Sequence, residues 1–173
     1  MITALLGPSG CGKSTLLGIL GGQIRATEGQ VVRTEIKRIG WVPQHPYGVR
    51  NRSAIDHVTV PLLARGWKQD AAREYAMNLL AKTGLEDSAH TAFWRLSGGE
   101  AQRLGLARAI ACEHDLLLID EPTAQLDYDT ASIVIELIEH LAVSDRVVVL
   151  STHDQRLTGV TDKTIDMVSH HEG

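Results

Sequence analysis

The sequence predicts an α/β fold: a parallel sheet flanked by helices and interrupted by a helical insert. Three observations carry this. The continuous apolar runs LLLID (116–120) and VVVLST (147–152) read as strands covered on both faces. Between them Ile133, Val134, Leu137, Ile138 and Leu141 repeat at helical spacing on one face. From about residue 46 to about residue 111 the pattern turns wholly helical.

The elements follow in order. Ile2 to Leu6 is a short buried strand closed by Gly7, and Lys13 to Leu20 is a helix ended by Gly21-Gly22. Gln30 to Val32 and Arg38 to Val42 are short β candidates, the second stopped by Pro43. From Ala71 to Leu80 the residues Ala72, Tyr75, Ala76, Leu79 and Leu80 share a helical face, and Gly84 ends the element. Ser97 to Ala111 forms another helix, striped by Leu104, Ala107, Ile110 and Ala111. After the two apolar strands, KTIDMV (163–168) gives a weaker third.

Composition excludes several classes. The 173 residues suit a single domain, and a net charge of −4 argues against broad attachment to nucleic acid. Aromatic residues make up 4%, which leaves no base-stacking platform. Cys11 and Cys112 cannot build a secreted disulfide framework and read as reduced thiols of a cytoplasmic protein. No run approaches the roughly 18 apolar residues of a membrane span. The opening MITALLGPSG lacks the basic region and cleavage site of a signal peptide, so a membrane role requires a partner. Arg33, Lys37 and Arg38 read as a solvated basic face, and His170-His171 offers too few ligands for a specific metal site.

GPSGCGKS fits the phosphate-loop pattern G-x-x-x-x-G-K-[ST] and stands between a strand and a helix, where the mechanism needs it. Its glycines let backbone amides turn toward phosphates. Lys13 would reach the β- and γ-phosphates, and the Ser14 hydroxyl would ligate Mg²⁺. LLLIDE delivers Asp120 to the C-terminal end of a buried strand, suited to holding Mg²⁺ directly or through water. Glu121, one residue on, is placed to act as general base on water. His153 ends another buried strand, and Gln44 follows the strand IGWVP, so both are expected near the same edge; Gln44 could reach metal or water.

RLSGGEAQR opens a helix differently. Ser97 and Glu100 stand at capping-box spacing. Two glycines in the first turn each weaken a helix by about 1 kcal/mol relative to Ala, so Gly98 and Gly99 point to a close backbone approach.

Together these motifs resemble an ABC-type ATPase over residues 2 to about 168: a phosphate loop, a Gln after a strand, LSGGE with AQR, LLLIDEPT, AQLD and a strand-end His. The resemblance implies a P-loop NTPase with a RecA-like core (about 1–45 and 112–173), a helical subdomain (about 46–111) and a reduced N-terminal antiparallel β region. It implies that Gly7, Pro8, Ser9, Gly10, Cys11, Gly12, Lys13, Ser14 and Thr15 form Walker A around ATP. Gln44 would be the Q-loop residue linking the Mg²⁺ site to a membrane partner, and Ser97, Gly98, Gly99 and Glu100 the signature motif. Ser14, Gln44 and Asp120 would serve the metal, with Asp120 as the Walker B aspartate. Lys13, Glu121 and His153 would be catalytic, and Ala124 to Asp127 the D-loop.

In such proteins two nucleotide domains, two copies or a pair with a second ABC subunit, meet head to tail, so that each signature covers the other's ATP. The unit sits on the inner face of the membrane through an integral permease and binds no nucleic acid. SAIDHVTVPLLARG and NLLAKTGLED are similar to the macrolide-export and lipoprotein-release branch, which implies an exporter. The same resemblance extends to a regulatory or mechanical ATPase acting on a membrane partner without transport. With Walker A beginning at Gly7 and only RTEIKR between GQVV and IGWVP, it also extends to a degenerate nucleotide-binding domain that lacks the adenine-stacking aromatic.

Overall fold

The computed structural model describes residues 1–124, 126–142 and 146–168. Gln125 of the expected D-loop and the His170-His171 pair lie outside the described residues.

In chain order the elements are β1 (Ile2–Leu6), α1 (Lys13–Leu20), β2 (Ile39–Val42), α2 (Ala54–Ala64), α3 (Gln69–Lys82), a 3₁₀ turn (Phe93–Arg95), α4 (Gly98–Ala111), β3 (Leu116–Asp120), α5 (Tyr128–Ala142), β4 (Val147–Thr152), α6 (Gln155–Thr158) and β5 (Lys163–Asp166). The chain divides into two compact units. One is built from Met1–Gln44, His114–Ala124 and the described residues from 138 onward; the other from His45–Glu113 and the described residues of 125–137.

The first unit contains a five-stranded sheet in the order β2-β3-β4-β1-β5, with every strand pair parallel. The apolar runs earn the central positions: β3 is buried at every residue and β4 at all but its first, while β5, polar at Lys163, Thr164 and Asp166, takes an edge. Leu5, Leu17, Leu116, Leu118 and Val149 form the core between α1 and the sheet. Parallel pairing without bulges sends the C-terminal ends of β1, β3 and β4 to one edge, with Asp120 opposite Ser151 and Leu6 opposite Thr152. Ligands gather at such an edge in open α/β sheets.

The run expected as a strand at Gln30–Val32 forms none. Val32 is 77% exposed there, and three residues burying so little cannot hold a strand against backbone entropy. The expected basic face also does more than meet solvent. Arg33 donates to the carbonyls of Leu20 and Ile19 at the end of α1, and Asp115 accepts the backbone N–H groups of Lys37 and Arg38. Arg33 thus adds a donor at the C-terminal end of α1, where the Ile19 carbonyl already accepts the Gly22 N–H.

The second unit is helical. Ile55, Val58 and Leu62 of α2, Ala72, Ala76 and Leu80 of α3, and Leu104, Ala107 and Ala111 of α4 form one apolar core. Ser53 caps α2 by accepting the Asp56 N–H, and Ser97 caps α4. Among the described residues no helix is long and apolar enough to cross a membrane.

Candidate functional site

The loop between β1 and α1 sets the site. Gly10 and Gly12 take φ of 85° and 96°, left-handed values that L side chains avoid, so the backbone turns tightly before α1 begins at Lys13. A Cβ at Gly7 would stand 2.5 Å from the Cys11 sulfur, so the loop also needs glycine there for closeness. The Lys13 ammonium folds back over the loop, donating to the carbonyls of Gly7 at 2.7 Å and Pro8 at 3.2 Å.

Two carboxylates complete it from the end of β3. Asp120 is 7% exposed, and its Oδ1 accepts the Ser14 hydroxyl at 3.0 Å and the Ser151 hydroxyl as well. The Glu121 carboxylate lies between two nitrogen groups: Lys13 Nζ is 3.2 Å from Oε1, and His153 Nδ1 is 2.9 Å from Oε2. Lys13 and Glu121 are 6% and 11% exposed, whereas His153 is 64% exposed and faces solvent. Glu121 holds φ of 46° without being glycine, a sparsely populated conformation that the surroundings must maintain.

These side chains meet at one cavity of ≈ 480 Å³, lined by Ser9, Gly10, Gly12, Lys13, Ser14, Thr15, Gln44, Glu121 and His153. The sequence-expected residues of the sheet edge are therefore brought together. Asp120 stands behind this lining, bonded to Ser14. Gly7, Pro8 and Cys11 shape the loop without lining the cavity. Ser151 is not among the residues expected from the sequence. It is one of two hydroxyl residues, with Thr152, at the end of an apolar run.

Ser97, Gly98, Gly99 and Glu100 belong to the helical unit and do not line this cavity. The capping box forms as its spacing implies: Ser97 Oγ accepts the Glu100 N–H at 3.3 Å, and Glu100 Oε2 accepts the Ser97 N–H at 2.9 Å. Glu100 Oε1 also takes the Ser88 hydroxyl, and that bond is the main reason its carboxyl sits below its ordinary value. Gly99 comes close to Leu126: a Cβ there would be 3.1 Å from Leu126 Cδ2.

The donor set fits a nucleotide with a hard divalent cation. Ser14 Oγ and the Asp120 carboxylate stand side by side as oxygens of the kind a hard divalent cation prefers, and Gln44 lies in the cavity wall. The glycine turn and the Lys13 ammonium supply the backbone donors and positive charge a polyphosphate requires. Among the described residues no group of three or more His, Cys, Asp or Glu side chains is placed to hold a metal ion.

The sequence profile of the ABC transporter family matches residues 1–124. An uncharacterized ABC transporter ATP-binding protein of Mycobacterium tuberculosis is 38% identical over 181 residues, 96% of this chain and 55% of that protein. The chain therefore spans about half the length of such mycobacterial relatives. The lipoprotein-releasing system ATP-binding protein of Legionella pneumophila is 35% identical over 186 residues, 98% of this chain and 81% of that protein. Among solved structures, a dimeric ATP-binding cassette in a post-hydrolysis state, bound to ADP and Pi, superposes with a TM-score of 0.84 at 30% identity, covering 95% of this chain and 80% of that one. With the phosphate loop, the Asp120–Glu121 pair and the capped SGGE helix all in place, the chain belongs to the ABC transporter ATP-binding family.

Proposed function

We propose that this chain binds MgATP at the phosphate-loop cavity and hydrolyses it, powering a separate integral membrane permease in the export direction. The observation that carries the reading is the convergence of Lys13, Ser14, Glu121 and His153 on one cavity, with Asp120 bonded to Ser14 behind it. Mg²⁺, held by Ser14 and Asp120 with Gln44 alongside, supplies charge neutralisation on the phosphates when bound.

The residues divide the work by their chemistry. Lys13 neutralises charge on the transferred phosphoryl group once it leaves its resting contact with Glu121. Glu121 then has a free carboxylate to orient water and accept its proton. His153, hydrogen-bonded to the same carboxylate and lining the same cavity, keeps that carboxylate aligned.

Two copies, or this chain and a second ABC subunit, pair head to tail, so that Ser97 to Glu100 of one molecule close over the nucleotide of the other. The dimeric cassette among the structural relatives supports pairing. The export direction is supported by the likeness to lipoprotein-releasing ATP-binding proteins. For the permease we assign the segment after Gln44. Tyr47 and Val49 of that segment are exposed, as is Trp94 of the same helical unit, with Arg108 over the Tyr47 ring and Arg50 and Arg95 over Trp94. The protein thus works as a peripheral subunit on the inner face of the cell membrane.

The test is Glu121→Gln. It is expected to abolish turnover while leaving ATP-bound dimers detectable by light scattering. Hydrolysis at the wild-type rate would overturn the assignment.

A further inference from the structure

Ser151 is fully buried, at 0% exposure, in the apolar strand β4. A hydroxyl in such a place is costly unless its bonds are made. Here both are made, and both go to the candidate site. The hydroxyl donates to Asp120 Oδ1, directly across the parallel ladder, and accepts the Glu121 N–H at 3.0 Å. The Glu121 N–H also reaches the Ser151 carbonyl at 3.1 Å.

This single side chain therefore touches the two consecutive carboxylate residues on which the proposed chemistry rests. On one side it limits the orientation of the Asp120 carboxylate, whose Oδ1 it shares with Ser14. On the other it holds the Glu121 amide at the point where the backbone turns to φ 46°. That turn aims the Glu121 carboxylate back between Lys13 and His153. Alanine or valine would satisfy the packing of an apolar strand equally well, so burial alone gives no reason for a hydroxyl.

We propose that Ser151 is a positioning residue that fixes the Walker B aspartate and the catalytic glutamate relative to one another. The role rests on the reading of Asp120 and Glu121 given above. It predicts that losing the hydroxyl lowers turnover more than nucleotide affinity, because the geometry of water attack is disturbed while the phosphate loop is untouched.

The experiment compares Ser151→Ala, Ser151→Thr and Ser151→Val in the full chain. Thr and Val match in shape, so any strain from the added methyl group is common to both, and only the hydroxyl differs. In ligand-free protein, amide hydrogen exchange at Glu121 is expected to be about fivefold faster in the Ala and Val variants than in the Thr variant, the equivalent of one net hydrogen bond. With MgATP, kcat is expected to fall about tenfold in the Ala and Val variants with KM within about threefold, and Thr is expected to restore most of it. Equal Glu121 exchange in the Thr and Val variants would overturn the proposal, as would kcat equal to wild type in Ser151→Ala. If wild-type protein shows no hydrolysis, the proposed function fails, and the exchange comparison still decides whether Ser151 positions Glu121.

Discussion

The Glu121 carboxylate stands 3.2 Å from the Lys13 ammonium, with both side chains nearly excluded from solvent. The charge that the phosphate loop offers to a nucleotide is therefore already partnered by the carboxylate proposed to act on water. Incoming phosphates must compete with Glu121 for Lys13, and this competition frees the base only when substrate is present. Glu121→Gln removes the competing charge. ATP affinity in that variant is expected to rise severalfold over wild type, measured with a fluorescent nucleotide under non-hydrolysing conditions. Weaker binding would show that the ion pair organises the loop rather than occupying it.

Asp120 and Ser14 make a second testable pair, with the hydroxyl on Oδ1 at 3.0 Å. Asp120→Asn keeps the shape and loses the anionic oxygen that a hard cation requires. Mg²⁺ is expected to tighten ATP binding in wild type and to have little effect in this variant. Titration with nucleotide in Mg²⁺ and in EDTA reads the difference directly. An undiminished Mg²⁺ effect would move the metal away from Asp120.

Much of this arrangement is legible in sequence because parallel strands bring their C-terminal residues to a common edge. Asp120, Glu121 and His153 follow from the ends of two apolar runs, and Lys13 and Ser14 from the loop pattern. Ser151 is not legible, because period-based reading sees a small polar residue beside Thr152 at the end of a buried strand and cannot know its neighbour across the ladder. The register that places it opposite Asp120 is a tertiary fact. Gln30–Val32 fails for the converse reason: local β propensity is present, but too little surface is buried to sustain it. Arg33 likewise reads as a surface charge until α1 ends within its reach.

Glu100 contrasts with the carboxylate proposed for catalysis. Both its oxygens are engaged, Oε2 by Ser97 and Oε1 by Ser88, so it folds back onto its own helix start. Glu100→Gln is expected to leave ATPase activity within a few-fold of wild type. Glu100→Ala, which loses the capping box, is expected to destabilise the protein by about 1–2 kcal/mol in chemical denaturation. A large gain in activity for Glu100→Gln would show that the native charge restrains closure.

His57 and His114 give stability a defined dependence on pH. Burial is the main cause lowering the pKa of each below its ordinary value. Around His57, Arg108 and Arg52 push the same way, while the Ser53 carbonyl and Asp56 oppose them. The geometry explains why the neutral ring is preferred. Nδ1 lies 2.8 Å from the Ser53 carbonyl and donates to it, so Nε2 is the acceptor for the Val49 N–H at 2.9 Å. Protonation would set two donors against each other there. His114 packs so closely on Gly40 that a Cβ would come within 2.2 Å of its ring, and its Nδ1 is buried without a hydrogen-bond partner among the described residues. For both histidines the unfolded chain binds a proton at a higher pH than the folded chain. Their contribution is therefore intact above the unfolded value of about 6.5 and is lost as pH falls from there toward the lowered folded values. Thermal melting is expected to be flat from about pH 8 to 7 and to drop toward pH 5, and His57→Phe together with His114→Phe is expected to flatten that drop. A slope unchanged in the double variant would assign the acid sensitivity to the carboxylates instead.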